Sequence, residues 1–117
     1  MILTIEHRKI EPDVVVMEMH GRITTGSDSQ KIEWGVTQLL KESQRKVIFD
    51  LAHVCYLDSS GVGIMMMCYA RLKKAGGALY LVGAQGMVKE ALAMTGVNKI
   101  LPLYSTTTVA AKDFQLV

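Results

Sequence analysis

The sequence predicts an α/β domain: a small mixed β-sheet, made of an N-terminal hairpin and parallel inner strands, packed with about four α-helices. Three observations predict it. Two short apolar runs rich in β-branched and aromatic residues, Val47-Ile48-Phe49 and Ala78 to Val82, read as strands covered on both faces. Between them lies a stretch of helical spacing that stops at Gly76-Gly77, so the two strands join through a right-handed crossover and lie parallel. Near the N-terminus, two strand-like stretches flank Glu11-Pro12-Asp13, residue types that make a turn.

Taken in order, Ile2, Thr4 and the residues to Ile10 form the first strand, and Val14 to Met19 the returning one, closed at Gly21. Its late alternation sets Val16, Glu18 and His20 on one face and Met17 and Met19 on the other, which suits a strand near the sheet edge. Thr24 to Ser29 reads as a hydroxyl-rich loop ending in a helix cap at Ser27 or Ser29. The helix that follows runs to about Ser43. At 100° per residue, Ile32, Val36, Leu39, Leu40 and Ser43 share one face and Trp34 falls nearly opposite, where it meets either a neighbouring loop or a partner.

Asp50 is expected to end the central strand, and 52–57 to form a short crossing. Asp58-Ser59-Ser60-Gly61 is then the chemistry of a helix start. In this helix Gly61, Ile64, Met65, Cys68, Leu72 and Ala75 make the core face, while Gly63, Met66, Met67 and Ala70 lie outside with Tyr69 at the flank. Its first two turns therefore lack a polar face. Further on, Gly83 to Gly86 opens a helix from Met87 to Thr95, Ile100 to Leu103 forms a brief last strand, and Ser105 caps a closing helix to about Lys112.

Composition narrows the functional classes. A chain of 117 residues that is 50% hydrophobic holds one core, and 1–117 reads as a single domain. Thirteen basic and eleven acidic residues give a net charge of +2 with the signs mixed, which argues against a nucleic-acid partner. Cys55 and Cys68 lack metal or redox spacing and are expected to be reduced and buried. The first residues lack the apolar centre of a signal peptide, and the weakly polar run from Gly61 to Ala70 is too short to cross a bilayer. These features place the chain in the cytoplasm.

Catalysis requires a nucleophile with its base, paired carboxylates or a metal, and none is supported here. His7, His20 and His53 are scattered along the chain without ligand or triad spacing, so no metal site is expected. Ser59 follows Leu57-Asp58 rather than sitting in a Gly-x-Ser-x-Gly elbow, and Gly61 and Gly63 precede Ile64-Met65 rather than the Lys-Ser/Thr of a phosphate loop. Taken alone, Asp58-Ser59-Ser60 is a good helix cap.

Asp58-Ser59-Ser60-Gly61-Val62-Gly63 after a hydrophobic strand resembles the signature of the STAS domain, as in bacterial anti-sigma factor antagonists. The resemblance covers nearly the whole chain, from the hairpin ending near Gly21 to Thr95-Gly96-Val97. It implies that Ser59 is the residue phosphorylated by an anti-sigma factor serine kinase, with Asp58, Ser60, Gly61 and Gly63 shaping its loop. Many members carry an Asp a few residues after the hairpin Gly, where this chain has Thr24. The expected reading is a protein-binding switch, not an enzyme: unmodified Ser59 permits docking of the kinase, which supplies ATP, and the chain needs no cofactor. Thr24, Trp34, Val62, Met66, Met67 and Tyr69 are the candidate docking residues. The alternatives are a constitutive adaptor subunit of a transporter or signalling assembly, and a small serine-nucleophile enzyme.

Overall fold

A computed structural model describes residues 2–115. A single five-stranded sheet runs in the order β1-β2-β3-β4-β5, with β1 (Thr4–Ile10) antiparallel to β2 (Val14–Ile23). The inner strands β3 (Lys46–Leu57) and β4 (Ala78–Val82) and the two-residue β5 (Leu103–Tyr104) are all parallel to β2. Each parallel step is bridged by a helix: α1 (Ser27–Lys41), α2 (Ser59–Lys74) and α3 (Gly86–Met94), the last followed by a 3₁₀ turn at Val97–Lys99. The closing helix α4 spans Thr107–Gln115. The expected α/β mixed sheet with four helices is what forms.

The layers are unequal. Ile32 and Val36 of α1, Ile64, Met65, Cys68 and Leu72 of α2, and Val88 and Leu92 of α3 pack against Met17, Phe49, Leu51 and Leu81 on one face. On the other, Ala110, Ala111 and Phe114 of α4 cover Val14, Val16, Ile48, Tyr80 and Val82, with Phe114 stacked on the Tyr80 ring. One helix covers less of a twisted sheet than three do. The ends of β2 and β3 beyond α4 therefore show polar side chains: Glu18 and His20 are half-buried and His53 is exposed.

Strand lengths differ from the sequence expectation. β2 continues past Met19 and Gly21 to Ile23, and β3 does not stop at Asp50 but runs on to Leu57. The extension holds two irregularities. Glu18 pairs with Asp50 but His20 with His53, and Gly21 pairs with Val54 but Arg22 with Tyr56, so β3 carries one extra residue at each place. The Asp50 carboxylate accepts the Ala52 N–H at 3.0 Å, satisfying backbone that the first bulge frees from the ladder. At the second, the Cys55 thiol donates to the Gly21 carbonyl at 3.4 Å. Cys55 is thus exposed rather than buried, while Cys68 is free and buried as expected.

Several helix ends also move. Gly26, without a side-chain cap, precedes α1, and the Ser29 hydroxyl donates instead to the Thr24 carbonyl at 3.0 Å. The helix stops at Lys41, leaving Ser43 exposed in the left-handed region at φ 61°. Thr106 replaces Ser105 as the cap of α4, its hydroxyl accepting the Val109 N–H at 3.2 Å. The last strand begins three residues later than expected, at Leu103, because the N–H groups of Ile100 and Leu101 both bond back to the Val97 carbonyl and close the 3₁₀ turn. Among the described residues, no helix is long and apolar enough to cross a membrane.

Candidate functional site

The site is built where the last residues of β2 and β3 meet the start of α2. Ile23 and Leu57 form the final pair of the ladder, and the Asp58 N–H reaches back to the Ile23 carbonyl at 3.4 Å. Asp58 is the N-cap: its carboxylate accepts the Gly61 N–H at 2.8 Å and its carbonyl the Val62 N–H at 3.0 Å. Ser59 occupies the first helical position, with Ser60 beside it, and both are exposed. A 16-residue helix with no acid in its first turn lies behind them, with Arg71, Lys73 and Lys74 in its last. The positive end of the helix dipole therefore faces the Ser59 hydroxyl, with the Asp58 carboxylate as the adjoining negative group.

Gly61 brings the helix this close to the strands. A Cβ there would lie 2.6 Å from Leu57 Cδ1 and 2.7 Å from the Ile23 carbonyl oxygen, so a larger residue would push the start of α2 off the sheet. Gly63 is different: it is exposed, and a Cβ there would meet nothing within 4 Å. Exposed positions then continue along α2 through Met67 and Ala70 to Lys74, so the stripe holds two small residues, Gly63 and Ala70, on either side of one large apolar residue and ends in a cation.

Thr24 follows Ile23 directly and so stands beside the Asp58–Ser60 turn, whose Asp58 N–H bonds the Ile23 carbonyl. Its hydroxyl donates to the Asp28 carboxylate at 2.8 Å. The structure thereby places a carboxylate next to Thr24, four residues later in the chain, at the start of α1.

The remaining docking candidates divide. Val62 is 5% exposed and belongs to the core beneath α2, so it is not a surface residue. Met66 is half-buried and packs against the same core, which corrects its expected position on the outer face. Met67 is exposed as expected, at 43%. Tyr69 is half-buried, ten residues or about 15 Å along the helix from Ser59. There it lines a recess with Lys73, Leu79, Tyr80, Ile100 and Pro102, facing the β4–β5 side. Trp34 is 67% exposed but leans over a shallow groove beside β1, formed with Leu3, Ile5, His7 and Lys31. Sequence reasoning missed Met87 and Met94, exposed seven residues apart on α3; their spacing off the Val88–Leu92 core face was the available signal.

Other reactive groups are placed by the fold. Burial pushes the Cys68 thiol up to about 12, an effect the nearby Arg71 only partly opposes, and such a thiol is a poor nucleophile. His20 and His53 are not scattered: strand pairing makes them neighbours, with rings stacked at 4.6 Å between centroids, and Glu18 bonds His20 at 2.8 Å. They interact with one another and not with Ser59.

Known proteins share this fold. The profile of the STAS domain family matches residues 7–110. An anti-sigma F factor antagonist of Paenibacillus polymyxa is 22% identical over 116 residues, which cover 98% of this chain and 96% of that protein. Among solved structures, the anti-sigma factor antagonist SpoIIAA in its unphosphorylated form has a TM-score of 0.83 at 16% identity, over 97% of this chain and 98% of that one. SpoIIAA of Bacillus in the phosphorylated form gives 0.73 at 15% identity, over 94% and 98%. A sulfate transporter family protein from Wolinella succinogenes gives 0.79 at 20% identity, over 93% and 90%.

Proposed function

The chain belongs to the STAS domain family, and from that premise we propose that it is an anti-sigma factor antagonist: a protein-binding switch that sequesters an anti-sigma factor serine kinase and is released when Ser59 is phosphorylated. The observation that carries this reading is the exposed Ser59 hydroxyl at the first position of α2, with Asp58 capping the helix beside it.

The physical chemistry supports a switch in docking rather than in fold. Phosphate on Ser59 adds about −1.5 to −2 charges. The helix N-terminus favours an anion by roughly 0.3–1 kcal/mol at an exposed position, and the Asp58 carboxylate opposes it, so the two effects largely offset within the domain. A partner packed on the Ser60–Gly63–Met67 stripe has no such compensation. It would have to bury a dianion beside a carboxylate, which costs several kcal/mol unless cations are supplied. Thr24 and Asp28 border the same loop, and Asp28 provides the carboxylate that the Thr24 position itself lacks. The chain performs no chemistry of its own in this reading; the kinase brings ATP and the transferring site, and both act in the cytoplasm.

Phosphopeptide mapping after incubation with the kinase and ATP tests the assignment, with phosphate expected on Ser59; phosphate on Ser60 alone would reject it. Ser59→Ala should retain the partner and Ser59→Asp should weaken it, read by titration calorimetry. The second reading, a constitutive adaptor in a transporter assembly, draws on the shared fold of the Wolinella succinogenes protein. Co-purification with a tagged chain followed by intact-mass analysis separates the two: the adaptor would be recovered with transporter subunits and always at its unmodified mass.

A further inference from the structure

We infer that Glu18, His20 and His53 form a binding site for a divalent transition-metal ion of the zinc type, on the sheet face that α4 leaves uncovered. Val14 and Val16 lie under α4, and Glu18 and His20 continue the same face of β2 beyond its cover. His53 reaches that face through the first bulge of β3. With Asp50 paired to Glu18, an unbroken ladder would set Ala52 against His20; the extra residue sets His53 there instead. The bulge thus puts two imidazoles side by side and a carboxylate next to them.

The distances are those of a three-ligand set. His20 Nε2 and Glu18 Oε1 are 2.8 Å apart, and the donor atoms of all three residues lie within 4.8 Å of one another. A tetrahedral zinc with nitrogen and oxygen ligands at about 2.0–2.2 Å holds its donors roughly 3.3 Å apart. Binding therefore asks the His20–Glu18 contact to open by about half an ångström and the exposed His53 ring to tilt out of its parallel stack. Both movements are available to side chains at the surface: His20 and Glu18 are 39% and 27% exposed. Two imidazoles with one carboxylate suit zinc and its neighbours rather than magnesium or calcium, which prefer all-oxygen sets. The site is separate from the phosphosite loop, since the His20–His53 pair precedes the terminal Ile23–Leu57 pair by three residues of β2, about 10 Å.

The test uses tag-free protein titrated with zinc chloride in a non-chelating buffer at neutral pH, with calorimetry for stoichiometry and NMR of the histidine ring protons for location. The expected result is one zinc per chain, shifts at the rings of His20 and His53 but not His7, and at least about a tenfold loss of affinity in each of His20→Ala and His53→Ala. Glu18→Gln should weaken zinc too, while Cys55→Ser should leave it unchanged. Each variant is melted first. If one fails to fold, the ring shifts of the wild type decide. The inference is overturned if zinc produces no heat and no ring shifts, if binding survives the His20→Ala, His53→Ala double substitution, or if magnesium competes equally well.

Discussion

Gly61 and Gly63 stand two residues apart in the first turns of α2, yet the fold requires only one of them. An added methyl at Gly61 would press on the Ile23 carbonyl at 2.7 Å, and backbone cannot swing aside as a side-chain tip can. Gly61→Ala should therefore lower stability by about 1–3 kcal/mol, measured by urea unfolding. At Gly63 a methyl meets nothing within 4 Å, and alanine is the better helix former, so Gly63→Ala should raise stability by roughly 0.5–1 kcal/mol. A domain that becomes more stable but binds its partner less well would show that Gly63 is kept bare for close approach by the partner. A Gly63→Ala protein less stable than wild type would contradict the open space seen there.

At the scale of elements, what was legible in the sequence follows from how regular each element is. The buried runs of β3 and β4 and the helical spacing of α2 were readable because each keeps one period, and the Asp58 cap was readable because its chemistry is local. The second half of β3 was not. Its buried residues are Leu51, Val54 and Leu57, three apart, because each bulge adds a residue to a two-residue repeat; such spacing does not look like a strand. The same cause hid the His20–His53 contact, which depends on a register that no local pattern announces. Met66 was misplaced for a different reason: an ideal wheel gives its direction on α2 but not which neighbours reach around to meet it. This yields paired expectations. Met66→Glu should cost about 1–3 kcal/mol because its side chain packs on the core, whereas Met67→Glu should change stability by no more than about 0.5 kcal/mol. Thermal melting checks both. If Met67 is part of the docking stripe, Met67→Glu should also weaken partner binding, and normal binding would move the interface away from α2, towards Trp34 or the exposed methionines of α3.

At the scale of the whole molecule, both layers carry weak acids that the fold keeps protonated. Cys68, under α2, has its thiol pushed up to about 12 by burial. Across the sheet, the Tyr80 and Tyr104 hydroxyls are also raised, first by desolvation and then by Asp113, which accepts the Tyr104 hydroxyl hydrogen bond. In the unfolded chain these groups ionise at their ordinary values, near 8.5 for a thiol and 10 for a phenol. A group whose folded value is raised holds its proton longer when folded, so its stabilising effect is complete below the unfolded value and is lost as pH climbs towards the folded one. The urea midpoint should therefore be insensitive to these groups between pH 6 and 8 and should fall from about pH 9 upward, with Cys68 alone contributing at most about 1.4 kcal/mol per pH unit. Because the thiol begins to ionise first in the unfolded chain, Cys68→Ala should flatten the onset near pH 9, and Tyr104→Phe should flatten the steeper part above pH 10. A midpoint that stays level from pH 8 to 11, or a slope that neither substitution reduces, would mean that these protons are not held by the fold.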